Sequence, residues 1–382
     1  MIAVGLMSGT SLDGIDAALV EITPRDRGYA LDLVRFETYP YDDDLLRALR
    51  SALPPQSGSV AVVAALHHAL GQAFARAAGA IASGRRIDYV ASHGQTVWHD
   101  GARHVTLQLG DPFAVRDGVC ATVCYDFRSA DCAAGGHGAP LVPYVDALLF
   151  SDALEDRIAI NLGGIANLSF LPKDDPGAVT AFDTGPGNML MDAFVRERSG
   201  GADTMDRDGA LAATGRIDAE LLAAMLGDDY FALTPPKSTG RERFGSQFFG
   251  RYGERLSRLS IEDGLATLAE LSAASIADAV SKAGFAPHRA ILSGGGTHNA
   301  HLVARLAARL SPARVENSDA MGIPPDAKEA MAFAVLGYET LRGRAANVPR
   351  ATGAVSSVPL GAIAPYRLRD LLENVERECA SS

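Results

Sequence analysis

The chain has 382 residues, 47% of them hydrophobic and 21% charged, with a formal net charge of -11. That length exceeds one ordinary core, so two domains are expected, and the composition is that of a folded protein with no need of a disordered arm. Acidic residues are spread along the chain and no long basic run occurs, which excludes a nucleic-acid partner; an anionic small substrate would need local basic residues.

The N-terminus enters a strand at once, with neither a basic segment nor a cleavage-type signal. The most apolar stretch, Val60 to Ala82, is interrupted by His67, His68, Gln72 and Arg76. It reads as an amphipathic helix or pair of helices, so no membrane span is expected. Of the four cysteines, Cys120, Cys124, Cys132 and Cys379, the first two fall on one face of a predicted strand with no second pair to complete a zinc site. Free thiols in a reducing cytoplasm are the reading.

In chain order, strands are predicted at 2–7, 15–22 and 29–36, an antiparallel meander around the turn Ser8–Gly14. Helices follow at 43–52 and 60–82, then strands at 87–92, 105–109 and 119–124, with a short helical start at Pro112–Arg116 between the last two. After a loop at 131–140 and a helix at 142–150, the pattern restarts: strands at 157–162, 166–171 and 178–182 around the turn Gly163-Gly164. The repeated three-strand unit implies an α/β protein of two related domains with a cleft between them and a boundary in the 129–140 loop. The expected division is 1–132 and 133–349, with a tail from about 350 to 382 packing back on the first domain. Helices at 217–225, 244–259, 261–283, 301–310, 326–341 and 367–377 and a strand at 289–292 complete the pattern. An opening meander excludes the doubly wound dinucleotide fold, which begins strand-turn-helix.

Four glycine-rich turns stand at strand ends: 8–14, 163–164, 183–188 and 293–296. One such turn is usually only a turn; four with hydroxyls and acids interleaved suit phosphate binding through backbone amides. Ser8, Thr10 and Ser11 can donate to phosphate oxygens. Asp13 and Asp16 either orient a magnesium ion through its waters or, for Asp13, cap the turn. No GxxxxGK[ST] run occurs, which excludes a P-loop enzyme. Asp183, between a strand and a helix start, either faces a substrate hydroxyl or water, or caps that helix.

Val4–Asp16 resembles the opening signature of the anhydro-N-acetylmuramic acid kinases of bacterial peptidoglycan recycling. Further matches are Ser92–Val97, Asp126–Arg128, Asn161–Asn167, Phe182–Asn188, Pro236–Glu242, Gly294–Asn299 and Glu329–Ala334. The resemblance runs from residue 2 to about 365. It implies the fold of the sugar kinase, heat-shock ATPase and actin superfamily: two ribonuclease-H-like domains, each a mixed sheet flanked by helices. It also implies an enzyme that uses ATP and Mg2+ to hydrolyse the 1,6-anhydro bond and phosphorylate the 6-oxygen, in the cytoplasm and as a homodimer. The alternative is another sugar kinase, or a switch-type ATPase of the same superfamily.

By the same resemblance Gly9, Thr10, Ser11, Leu12, Asp13, Gly14, Ile15 and Asp16 form the first ATP-phosphate loop, and Gly163, Gly164 and Gly185 the second. Gly294, Gly295, Gly296 and Asn299 take the adenosine side. Asp183 is the implied catalytic base; Thr96, Arg128 and Glu329 line the implied sugar site. No direct metal ligand is implied. The residues themselves leave Glu329 a plain helix-face carboxylate and make His93 a satisfied loop histidine rather than a catalytic one. Arg128 lies after a strand and before a glycine loop, where a guanidinium would suit the lactyl carboxylate in bidentate fashion. His137 stands where the family pattern leads one to expect glutamine, and Met7-Ser8 where the wider superfamily has an acid.

Overall fold

The computed structural model describes residues 1–9, 12–25, 29–53, 58–173 and 175–380. Twelve strands are described: β1 Ile2–Ser8, β2 Ile15–Pro24, β3 Tyr29–Tyr39, β4 Tyr89–Asp100, β5 Val105–Leu109, β6 Thr122–Tyr125, β7 Arg157–Leu162, β8 Ile165–Leu171, β9 Thr180–Pro186, β10 Arg289–Ser293, β11 Arg314–Asn317 and β12 Ala362–Ala364. They form two mixed sheets, one in each of two compact units, Met1–Leu148 with Ala327–Ser382 and Leu149–Asp326.

In the first unit the order is β12-β6-β4-β1-β2-β3, with β5 on β4. β1, β2 and β3 are antiparallel, as the meander predicts, while β4 runs parallel to both β1 and β6. One sheet face is covered by the Val60–Ala82 helix, started by the Ser59 hydroxyl, which accepts from Val62 N–H. Its stripe Leu66, Leu70, Phe74, Ala77 and Ile81 is buried in one cluster with Val4, Leu6, Leu19 and Val90. Each large side chain so buried contributes about 1.5–3 kcal/mol. The Lys328–Leu341 helix lies so near β1 that a Cβ on Gly5 would come 1.8 Å from the Ala330 carbonyl oxygen, and one on Gly337 would come 2.7 Å from Ala91 Cβ. Glycine lets helix and sheet meet backbone to backbone at Gly5, and lets Ala91 and Tyr89 pack directly on the helix backbone at Gly337.

The second unit repeats the plan. Its order is β11-β10-β7-β8-β9, with β7, β8 and β9 antiparallel and β10 parallel to β7 and β11. Both sheets thus begin third-second-first-fourth in chain order, an antiparallel trio followed by a parallel strand, which is the duplication the repeated glycine-turn unit implies. The Ile261–Lys282 helix, capped by Ser260, is buried along most of its length. A Cβ on its Gly264 would come 2.4 Å from Phe194. Its buried Glu270 carboxylate is paired with Arg305 and Arg309.

Four expectations differ from the structure. The strand expected at 178–182 is Thr180–Pro186, so Asp183 and Gly185 lie within β9 and not in a turn after it. The division between units falls at 148/149 and 326/327, not in the 129–140 loop and near 350. Fully buried Asp131 explains why the loop stays with the first unit: it accepts from Gly138 N–H at 2.8 Å, Asn347 Nδ2 at 2.8 Å and Thr352 Oγ1 at 2.7 Å. Cys120 is not on a strand; it ends the Pro112–Val119 helix in a left-handed conformation, and β6 begins at Thr122. The helix expected at 244–259 is two, Arg241–Phe244 and Ser246–Ser257. Cys120, Cys124 and Cys132 are free thiols. Among the described residues no helix is long and apolar enough to cross a membrane.

Candidate active site

In the second unit three glycine turns converge at the carboxyl ends of β7, β9 and β10, the edge at which open α/β sheets bind ligands. Gly187 N–H donates to Gly164 O and Asn188 N–H to Gly163 O, both at 2.9 Å. A Cβ on Gly187 would lie 2.1 Å from Gly163 O, so the two turns sit back to back. Gly294 and Gly296 pack on Leu162 in the same way, while beside Gly295 there is open space. Gly185 abuts Phe231. Asn299 caps the Ala300–Leu310 helix, accepting from Leu302 N–H at 2.9 Å. The Met189–Arg198 helix starts directly after the Gly187-Asn188 turn, and its amino end favours an anion there.

Asp183 lies half-buried on β9, and its Oδ2 accepts from Thr239 N–H at 2.9 Å. Its backbone is held twice more: its N–H donates to Lys237 O at 3.3 Å, and its carbonyl accepts from Tyr230 Oη at 2.7 Å. Neither bond makes it the cap of the Met189–Arg198 helix, whose N-cap is Asn188. The Lys237 ammonium donates to Tyr230 O and sits over the Tyr230 ring, 4.6 Å from its centroid. Burial, and then the neighbouring Lys282, lower its pKa, while the Asp183 charge acts the other way. The segment 237–239 is therefore a clamp on the carboxylate. Sequence reasoning matched these residues to the family without giving them a role, and Tyr230 carried no signal at all.

In the first unit Gly9 to Gly14 connect β1 to β2, with Ile15 and Asp16 opening β2; Thr10 and Ser11 lie outside the described residues. Buried Ser8 anchors the loop, its Oγ 2.9 Å from Gly14 O and 2.7 Å from both Gln95 Oε1 and Tyr41 Oη. Gln95 Nε2 in turn donates to Gly9 O. Leu12 and Ile15 are buried, Asp13 is exposed, and Asp16 on β2 accepts from Thr38 Oγ1 at 2.6 Å. Ser8 thus supplies a hydroxyl anchor at the start of the loop.

The remaining candidates gather around β4 and the end of β6. Thr96, half-buried at a bulge of β4, accepts from Gln108 Nε2 on β5. Arg128 follows β6 and donates through Nη1 to Gly138 O at 2.7 Å and through Nε to His93 Nε2 at 2.9 Å. Glu329 is in the first turn of the Lys328–Leu341 helix. Burial raises the pKa of its carboxyl, opposed by Lys328 and Arg128 and reinforced by Asp146 and Asp13. Those charges place Glu329 within electrostatic range of both Arg128 and the first loop. His137, the departure from the family pattern, is anchored by its own backbone N–H on Thr352 O, its ring 6.3 Å from that of His104.

Residues 1–366 match the family model described as anhydro-N-acetylmuramic acid kinase. Curated relatives of that name include one from Caldanaerobacter subterraneus subsp. tengcongensis, 39% identical over 95% of this chain and 96% of its own length. Another, from Xanthomonas axonopodis pv. citri, is 46% identical over 94% and 97%. Among solved structures, the chain is similar to a ROK family glucokinase from Streptomyces griseus at 14% identity and TM-score 0.37, over 88% of this chain and 99% of that one.

Proposed function

The chain belongs to the anhydro-N-acetylmuramic acid kinase family, and on that premise we propose that it turns 1,6-anhydro-N-acetylmuramic acid, ATP and one water into N-acetylmuramic acid 6-phosphate and ADP. The observation that carries this reading is Asp183: one carboxylate fixed by the Thr239 amide, beside glycine turns at the carboxyl edge of a sheet. An inverting glycosidase needs a base for water and a separate acid for the leaving oxygen. In an anhydro sugar the leaving group is the sugar's own 6-oxygen, and the γ-phosphoryl group can capture it. Asp183 takes a proton from water, whose oxygen bonds to the anomeric carbon as the bond from that carbon to the 6-oxygen breaks. The freed 6-oxygen takes the phosphoryl group, and ADP leaves.

The first loop, Gly163, Gly164 and Gly185 supply backbone amides to the phosphates, and Gly294 to Asn299 take the adenosine. Open space beside Gly295 and the helix start at Met189 support that assignment. Arg128 holds the lactyl carboxylate, with Thr96 and Glu329 beside it on the sugar. No group of three His, Cys, Asp or Glu side chains that could hold a metal occurs among the described residues. With Asp13 exposed and Asp16 half-buried, this fits a Mg2+ that arrives with the nucleotide and meets the protein through its waters. Such an ion would neutralise charge on the transferring phosphoryl group. The reading includes a cytoplasmic location, supported by the free thiols, and the homodimer that the resemblance implies.

The test is a product assay with ATP, Mg2+ and the anhydro sugar. One ADP per N-acetylmuramic acid 6-phosphate is expected; ADP release independent of the sugar would point to a switch-type ATPase instead.

A further inference from the structure

We infer that His93 is a positioning residue for the sugar-binding arginine: held neutral with its proton on Nδ1, it fixes the plane of the Arg128 guanidinium. The inference rests on the reading of Arg128 as the carboxylate-binding group. A guanidinium nitrogen can only donate, so the 2.9 Å contact from Arg128 Nε requires a bare, accepting Nε2 on His93. The proton of the neutral ring must then be on Nδ1, which lies 2.8 Å from Gly94 O and donates to it. Both nitrogens are used, and the tautomer is fixed by the two partners together.

The ring has little freedom to turn. His93 is 3% exposed, and its ring packs on Phe333 of the Lys328–Leu341 helix with centroids 4.7 Å apart. Phe333 also contacts Phe127, next to Arg128 in the chain. With Arg128 Nη1 on Gly138 O, a histidine and a carbonyl hold the guanidinium from two sides. The charged and titratable groups facing His93 are Arg128 and, on β4, His99; Glu329 lies on the packed helix one turn before Phe333. Burial, then Arg128, lower the pKa of His93 well below the ordinary 6.5, and burial and Arg128 bring His99 to about 4. Protonation would put an N–H against the guanidinium. Burial and the hydrogen bond from Arg128 thus both favour the neutral ring.

The experiment compares His93→Phe, His93→Gln and Arg128→Ala with the wild type, measuring KM for the anhydro sugar and for ATP separately. His93→Phe keeps a ring against Phe333 but removes the acceptor; its sugar KM should rise about tenfold with ATP KM unchanged. In His93→Gln the amide oxygen can still accept at the place of Nε2, so that variant should recover most of the loss. Arg128→Ala should raise sugar KM by at least as much. In 15N spectra of the wild type His93 should show a protonated Nδ1 and a bare Nε2, with no titration near pH 6.5. A raised sugar KM in Arg128→Ala alone, with His93→Phe unchanged, overturns the inference and leaves the arginine's role standing. An unchanged Arg128→Ala overturns both. An imidazolium or an Nε2-protonated ring in the wild type overturns the inference whatever the kinetics.

Discussion

Asp183 shows what a single residue can and cannot announce. Its place after an apolar run and before two glycines is legible in the sequence, yet the same pattern serves a helix cap, and that Asp183 lies inside β9 is not. The structure removes the cap reading, because Asn188 is the N-cap and the Asp183 carboxylate accepts from the Thr239 amide. The clamp itself was not legible: Tyr230 and Thr239 stand 47 and 56 residues away, and no local rule links them. Removing the base while keeping the shape is the direct check. Asp183→Asn should bind ATP as the wild type does and lose roughly 10²- to 10⁴-fold in turnover. Single-turnover kinetics with a separate ATP titration would show it, and a full-speed Asn variant would remove Asp183 from the mechanism.

Among elements, the meander and the helices Val60–Ala82 and Ile261–Lys282 are legible in the sequence because periodicity is a local property of the chain. Less legible are the points where a helix ends in a non-helical backbone conformation, such as left-handed Cys120 after its helix and the break at Gly245. The glycine turns illustrate the same limit. In the 294–296 run two glycines are required by packing on Leu162, and only Gly295 faces open space, a difference that composition cannot express. Gly295→Val should leave the melting temperature unchanged and weaken ATP binding roughly tenfold, or about 1.4 kcal/mol. Unchanged ATP affinity would move the adenosine site elsewhere.

The strand ends of the second sheet carry a separate, structural prediction. Hydrogen bonds from Arg289 and Arg157 hold the Glu155 carboxyl at about 2, below its ordinary 4.5. A depressed carboxylate stabilises the fold fully above its unfolded pKa and ceases to do so as pH falls through the folded one. The contribution therefore disappears between about 4.5 and about 2. Glu155→Gln should lower the melting temperature at pH 7 and flatten its fall across that window, as followed by calorimetry. An unaltered slope would show that the Arg289 and Arg157 contacts do not persist in solution.

For the whole molecule, the duplication is legible because the same strand-turn-strand unit occurs near residues 2 and 157, and in both sheets the antiparallel trio is followed by a parallel fourth strand. The division between units is not, since it depends on Asp131 reaching across more than two hundred residues to Asn347 and Thr352. The family match, over residues 1–366, spans both units. What that whole is proposed to do comes down to the fate of one oxygen. If Asp183 activates water at the anomeric carbon while the 6-oxygen receives the phosphoryl group, the reaction run in 18O-labelled water must place the label on the anomeric carbon of the sugar phosphate, read by mass spectrometry of its fragments. The account predicts one labelled oxygen there and none in the phosphate; label in the phosphate, or an unlabelled sugar, would contradict it.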